Sequence, residues 1–153
     1  MLLEERVSII TGAANGIGKA IAKTFAKEGS DLTIVDIDIG GAKKTAEEIE
    51  KDTNRKTLVL RVDVSKKRDI DKMVKKTIEK FGKIDILINN AGIYKPVPFF
   101  DITEELWDET IGVDLKGVFL CTQAVAKEMV KNNYGKIVNI SSVSAFRPNM
   151  GET

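Results

Sequence analysis

Histidine is absent from the 153 residues. That excludes a Ser-His-Asp triad and any histidine-bound metal centre, and no metal site is expected. Cysteine is nearly absent as well. The single Cys121 leaves no partner for a disulfide within the chain, and its apolar helical surroundings suit a small buried side chain. Neither sign of charge is in excess: Lys and Arg number 24 against 23 Asp and Glu. The chain therefore offers no electrostatic footprint for nucleic acid or an anionic membrane. No apolar run approaches the length of a membrane span, and Met1-Leu2-Leu3-Glu4-Glu5-Arg6 is too short and too charged for a signal peptide. These absences predict a soluble, cytoplasmic protein. Its length suffices for one domain with a real core.

Glycine is placed where it matters most at Thr11-Gly12-Ala13-Ala14-Asn15-Gly16-Ile17-Gly18. An apolar run, residues 6–10, precedes this stretch and reads as a strand. The periodic apolar residues Ile17, Ala20, Ile21, Ala22, Phe25 and Ala26 follow it and read as a helix. A strand that breaks on glycine and turns straight into a helix aims backbone N–H groups at an open crevice. The partial positive charge of the helix N-terminus makes that crevice suitable for a phosphate. In such a turn Gly12 permits the tight bend, Gly16 lets a pyrophosphate approach, and Gly18 lets helix and strand pack closely. The same spacing also suits a turn that merely joins two packed elements.

Strands are predicted at 6–10, 31–36, 57–62, 84–88 and 136–140. Helices alternate with them, the third carrying the cleanest period: Ile70, Met73, Val74, Thr77, Ile78 and Phe81. Gly40-Gly41 are predicted to precede the second helix. Thr103, followed by two glutamates, is predicted to cap a long helix reaching about Lys131. Pro96 and Pro98 mark a loop, and residues 141–153, which include Pro148, read as another. Four of the five strands are near-continuous apolar runs, the pattern of a parallel sheet covered on both faces. The fold predicted is α/β, a doubly wound (Rossmann) sheet of strand order 3-2-1-4-5 within a single domain, residues 1–153.

In such a sheet ligands bind beyond the carboxyl ends of the strands. Asp36 ends the second strand, eighteen residues past Gly18. A carboxylate there accepts hydrogen bonds from a ribose 2′-hydroxyl and repels a 2′-phosphate. No Lys or Arg sits in the glycine loop or directly after Asp36, so NAD is favoured over NADP; a solvated strand-end acid is the alternative. Asp63 ends the third strand, where it could face an adenine amino group or simply serve its own loop. Asn89-Asn90-Ala91-Gly92 ends the fourth, where asparagine side chains can tie strands together and border a cofactor, or form an ordinary turn.

Taken together, the glycine pattern, Asp36, Asp63-Val64, Asn89-Asn90-Ala91-Gly92 and Ile137-Val138-Asn139-Ile140-Ser141-Ser142 resemble the short-chain dehydrogenase/reductase family. The resemblance covers the whole chain and is closest to the classical branch, which includes 3-oxoacyl-carrier-protein reductases. It implies a nicotinamide cofactor and hydride transfer to or from an alcohol/ketone carbon of a small-molecule substrate. It implies that Gly12, Asn15, Gly16, Ile17, Gly18, Asp36, Asp63, Val64, Asn90, Ala91 and Gly92 border the cofactor. Ser142 would be the catalytic serine, bonding the substrate oxygen as its charge changes. The long helix is the kind that the family packs against a partner subunit, so a homo-oligomer is expected.

Two departures stand out. The family's proton-transfer tyrosine, with a lysine four residues on, should follow Ser142 by just over a dozen residues. The 153 residues hold only Tyr94 and Tyr134, neither in that motif. The chain thus looks like an amino-terminal portion of a family member, with the C-terminal part of the fold missing and no proton-transfer group of its own. Asp114 stands where the family usually carries a catalytic asparagine. It lacks an amide donor, so either its role is altered or it is only an acid on a helix. Beside an oxidoreductase, two other functions fit: a nucleotide-binding module without catalysis, or a doubly wound interaction domain.

Overall fold

The computed structural model describes residues 1–145; Pro148 and the remainder of the predicted final loop lie outside the described residues. Five parallel strands form one sheet: β1 (Val7–Thr11), β2 (Asp31–Asp36), β3 (Thr57–Arg61), β4 (Ile86–Asn89) and β5 (Lys136–Asn139), in the order β3-β2-β1-β4-β5. The order predicted from the sequence is the one observed. Because successive residues of a strand face opposite ways, Ile9, Val35 and Leu87 enter one core and Ile10, Ile34, Ile86 and Ile88 the other. Helices α1 (Gly16–Lys27) and α2 (Ile39–Thr53) cover the second core through Ala22, Ala26, Ala42, Ala46 and Ile49. Helix α3 (Lys67–Phe81) covers the first through Ile70, Met73 and Val74. Every residue of β1 is buried, as a central strand sandwiched between helix layers requires.

Three local expectations need correction. Helix α2 starts at Ile39, so Gly40 and Gly41 lie inside its first turn. The Asp38 carboxylate caps it by accepting both of their N–H groups. Ile84 and Asp85 precede β4. The Asp85 backbone bonds to Val7 and Lys136 just before the strand, while its carboxylate accepts the Val7 N–H at 2.9 Å and pairs with Arg6 and Lys83. The long helix does start at a Thr103 cap, but it is not uniformly α-helical. It runs as α4 (Glu104–Ile111), a π-helical turn over Gly112–Gly117, and α5 (Val118–Lys131).

That π turn, an element often found at functional sites, resets the helix face. Beyond it Gly117, Cys121, Val125 and Met129 point inward at four-residue intervals. A β-carbon on Gly117 would lie 2.9 Å from the Val64 side chain, so only glycine lets α5 approach the loop after β3 this closely. No helix among the described residues is long and apolar enough to cross a membrane.

Candidate functional site

A cavity of about 480 Å³ opens at the carboxyl ends of β1 to β4, where a doubly wound sheet reverses its strand order. Nine of the predicted residues line it: Gly12, Asn15, Ile17, Asp36, Asp63, Val64, Asn90, Ala91 and Gly92.

The glycine turn is braced from three sides. Thr11 Oγ1 donates to the Ile88 carbonyl and accepts the N–H groups of Asn90 and Ala91, each at 3.0 Å. The Asn90 amide donates to the carbonyls of Thr11 and Gly12, both at 3.0 Å. Gly18 lies directly beneath: a β-carbon there would overlap Gly12 O and sit 2.5 Å from the Asn90 amide nitrogen. Gly12 and Gly16 adopt φ of +65° and +53°, a region that costs an L side chain.

These features fit a dinucleotide's phosphates. The first turn of α1 has no side-chain cap from Asn15 and no acid to neutralise its dipole, whereas α2 and α4 are capped by Asp38 and Thr103. Its N–H donors at the cavity rim are therefore available to an anion. A side chain at Gly16 would meet nothing within 4 Å, so the approach is open.

Asp36 is held at the rim by two backbone donors. Its Oδ2 accepts the Ala14 N–H at 2.9 Å and its Oδ1 the Asp38 N–H at 3.0 Å. The carboxylate therefore serves the glycine loop as well as any ligand. Asp63 is more fully committed to its own loop: Oδ1 accepts the Ser65 N–H and hydroxyl, and Oδ2 pairs with Lys66 at 2.9 Å. Partial burial pushes the Asp63 carboxyl upward, but the bonds from Ser65 and Lys66 outweigh it and hold it below its ordinary value.

The matching family profile, described as short chain dehydrogenase, covers residues 6–153. The chain belongs to the short-chain dehydrogenase family. It is 46% identical over 142 residues to the (2S)-[(R)-hydroxy(phenyl)methyl]succinyl-CoA dehydrogenase subunit BbsD of Thauera aromatica, covering 93% of this chain and 57% of that one. It is 41% identical to the 3-oxoacyl-[acyl-carrier-protein] reductase FabG of Thermotoga maritima, covering all of this chain and 62% of the relative. It is 39% identical to an NAD-dependent glycerol dehydrogenase of Listeria innocua, over 92% of this chain and 54% of the relative. A crystal structure of a proposed short-chain alcohol dehydrogenase from Sinorhizobium meliloti 1021 superposes with a TM-score of 0.91 at 36% identity, over 95% of this chain and 57% of that one. The chain thus spans 54–62% of the length of these three curated relatives.

As in other short-chain dehydrogenases, the sheet is Rossmann-like, but four predicted residues lie outside the cavity lining. Gly16 stands at the open rim and Gly18 below the floor. Asp114 is exposed on the π turn, where its Oδ1 accepts the Ile93 N–H at 2.9 Å. That bond anchors the loop after Gly92 to the helix. Ser142 follows β5, exposed, with its Oγ accepting the Ser144 N–H at 3.1 Å. Its strand is tied to the sheet through buried Asn89, whose amide donates to Asn139 Oδ1 at 2.9 Å and Thr122 Oγ1 at 3.1 Å.

The lining also includes Ile37, Ser65, Ile93, Glu109 and Val113, which no motif singles out. Glu109 is paired with Lys95, which lies outside the lining. For Ile37, Ser65 and Ile93 the signal lies in chain position, within a few residues of a strand end; Val113 is on the π turn and Glu109 on the α4 turn before it.

Proposed function

We propose that this chain binds NAD along the carboxyl edge of its sheet and supplies the cofactor half of an oxidoreductase acting on an alcohol or ketone. The observation that carries this is the uncapped α1 N-terminus opening on the cavity beside the oriented Asp36 carboxylate. In the proposed complex the α1 N–H groups hold the pyrophosphate, and Asp36 accepts from the adenosine ribose hydroxyls while its charge disfavours a 2′-phosphate. Asp63 and Val64 border the adenine, and Asn90, Ala91 and Gly92 border the nicotinamide ribose. A nicotinamide bound here would supply or take up the hydride. Ser142 would donate a hydrogen bond to the substrate oxygen, where negative charge grows during carbonyl reduction. That oxygen also needs a proton, and no Tyr-x-x-x-Lys motif follows Ser142 within the 153 residues.

These 153 residues by themselves are therefore expected to bind the dinucleotide without ordinary carbonyl reductase turnover. Calorimetric titration with NAD and with 5′-AMP tests the binding. Saturable binding of both is expected, and it should be lost in the double variant Asp36→Ala with Gly12→Val. Failure to bind either nucleotide would remove the proposal. NADH turnover on a ketone panel, abolished by Ser142→Ala, would overturn the expectation of inactivity. The second reading, a nucleotide-binding module without catalysis, predicts the same binding and differs in that no fuller protein would turn over a substrate.

A further inference from the structure

Sequence inspection around Asp36 finds no cation, but the fold brings one in from the adjacent strand. Arg61 closes β3 directly opposite Asp36 in the β2–β3 register. Its guanidinium Nε donates to the carbonyl of Ile37 at 3.2 Å. Ile37 immediately follows Asp36, is exposed and lines the cavity. A positive charge thus rests against the peptide next to the acid that would meet the adenosine ribose. Among the described residues, Arg61 has no carboxylate within ion-pairing distance and Asp36 has no cation. Of the neighbouring acids, Asp63 is paired with Lys66, and Asp38 is engaged as the cap of α2. With Nε taken, the two terminal nitrogens of Arg61 retain the planar fork that suits a phosphate.

We infer that Arg61 is a specificity-determining residue at the ribose end of the site, a phosphate ligand masked by Asp36. The inference rests on the proposed cofactor site and adds a second determinant to it. With both residues present, the carboxylate repels a ribose 2′-phosphate and the chain prefers NAD. With Asp36 neutralised, the guanidinium no longer faces a carboxylate across the β2–β3 register, and a 2′-phosphate becomes a favourable occupant. The relevant contact is charge-assisted and partly exposed, so it should weaken with salt.

The experiment is calorimetric titration of the chain with NAD, NADP, 5′-AMP and 2′-AMP at low and at physiological salt. The variants are Asp36→Asn, which keeps an acceptor oxygen for the Ala14 N–H, and Asp36→Asn with Arg61→Gln. Asp36→Ser serves in place of Asp36→Asn if thermal melting shows the amide to be misfolded. Asp36→Asn should raise affinity for NADP and 2′-AMP on the order of 10- to 100-fold, the range of one hydrogen bond to a charged group. The gain should shrink with salt, and adding Arg61→Gln should abolish it. No gain on neutralising Asp36, or a gain that survives Arg61→Gln, would overturn the assignment. If the unmodified chain binds NAD and 5′-AMP but the variants behave in either of these ways, only this inference fails. If the unmodified chain binds neither, the cofactor site fails and takes this inference with it.

Discussion

Replacing Gly18 with alanine separates a structural glycine from a ligand-facing one. The added methyl would be driven into the Gly12 carbonyl oxygen and the Asn90 amide, the two groups that hold the turn against β4. The Gly12 carbonyl is backbone and the Asn90 amide, though the end of a side chain, is held by two hydrogen bonds, so relief requires moving backbone or breaking the Asn90 bonds. Overpacking of this kind costs about 1–3 kcal/mol, and losing one hydrogen bond adds roughly 1 kcal/mol. The total, about 2–4 kcal/mol, is a large share of the ~5–15 kcal/mol that holds a domain together. For a domain of this size it corresponds to a fall of roughly 4–16 °C in melting temperature. Gly16→Ala is the control. Its methyl meets nothing within 4 Å, so the cost is the left-handed backbone alone, about 1–2 kcal/mol. Thermal melting followed by circular dichroism reads both. A Gly18→Ala protein that melts within 2 °C of its parent, or at no lower temperature than Gly16→Ala, would refute the packing argument. The relation to ligand binding runs the other way: Gly16→Ala should weaken NAD binding at temperatures where the protein is fully folded, because its methyl occupies the open rim of the turn.

Other consequences follow from burial and charge. Cys121 is buried among Val125, Met129 and the sheet, and burial pushes its thiol up to about 12. An aromatic disulfide reagent at pH 8 should therefore label it at the rate of unfolding, and labelling faster than hydrogen exchange of the core amides would contradict its placement. Asp63 is held below its ordinary value, so its contribution to stability is present above the unfolded-state pKa and is lost as pH falls through the lowered one. Denaturation midpoints between pH 7 and pH 2 should thus fall less steeply in Asp63→Asn than in the parent, and parallel curves would sink that account. Finally, β5 forms a sheet edge with Val138 exposed, and Ile140, Phe119 and Trp107 are exposed as well. The chain should associate at high concentration, and a clean monomer by light scattering would argue against it.

The fold was legible because its signals are local. Ile9 and Ile10 are adjacent apolar residues that must face opposite cores, which a strand covered on both sides allows and an amphipathic one does not. The glycine turn was legible for the same reason, and Gly18 meets the very neighbours that close packing predicts. What the sequence hides is what depends on distant partners. Thr11 reads as the first residue of the glycine stretch, yet it ends β1 and its hydroxyl joins that strand to the Asn90 turn across seventy-nine positions. Arg61 reads only as one residue within the third strand, and the β2–β3 register is what sets it beside Ile37. The π turn escapes detection because its extra residue shifts the helix face without interrupting the apolar period. Its marker is Gly117, whose close approach to Val64 no local pattern reports.

The two halves of the candidate site are held with unequal firmness. The glycine turn is fixed by Thr11 and Asn90, which together make five hydrogen bonds among β1, β4 and the turn itself. A turn held this way loses little further freedom when a phosphate arrives, which favours binding. The Ser142 segment has far less. Its strand is an exposed edge joined to the sheet on one side only, and the side-chain tie that sets it runs through Asn89 to Asn139 and Thr122. Asn89→Ala removes both bonds and leaves a small void, at a cost of about 1–3 kcal/mol. The loss should be concentrated in β5. Hydrogen exchange should accelerate at residues 136–140, including the Ile140 N–H that bonds the Asn89 carbonyl, while β1 and β2 keep their protection. NAD affinity should change little, because the Thr11–Asn90 brace does not pass through Asn89. If β1 lost protection in step with β5, the two halves would be one cooperative unit, and the difference in firmness would not exist.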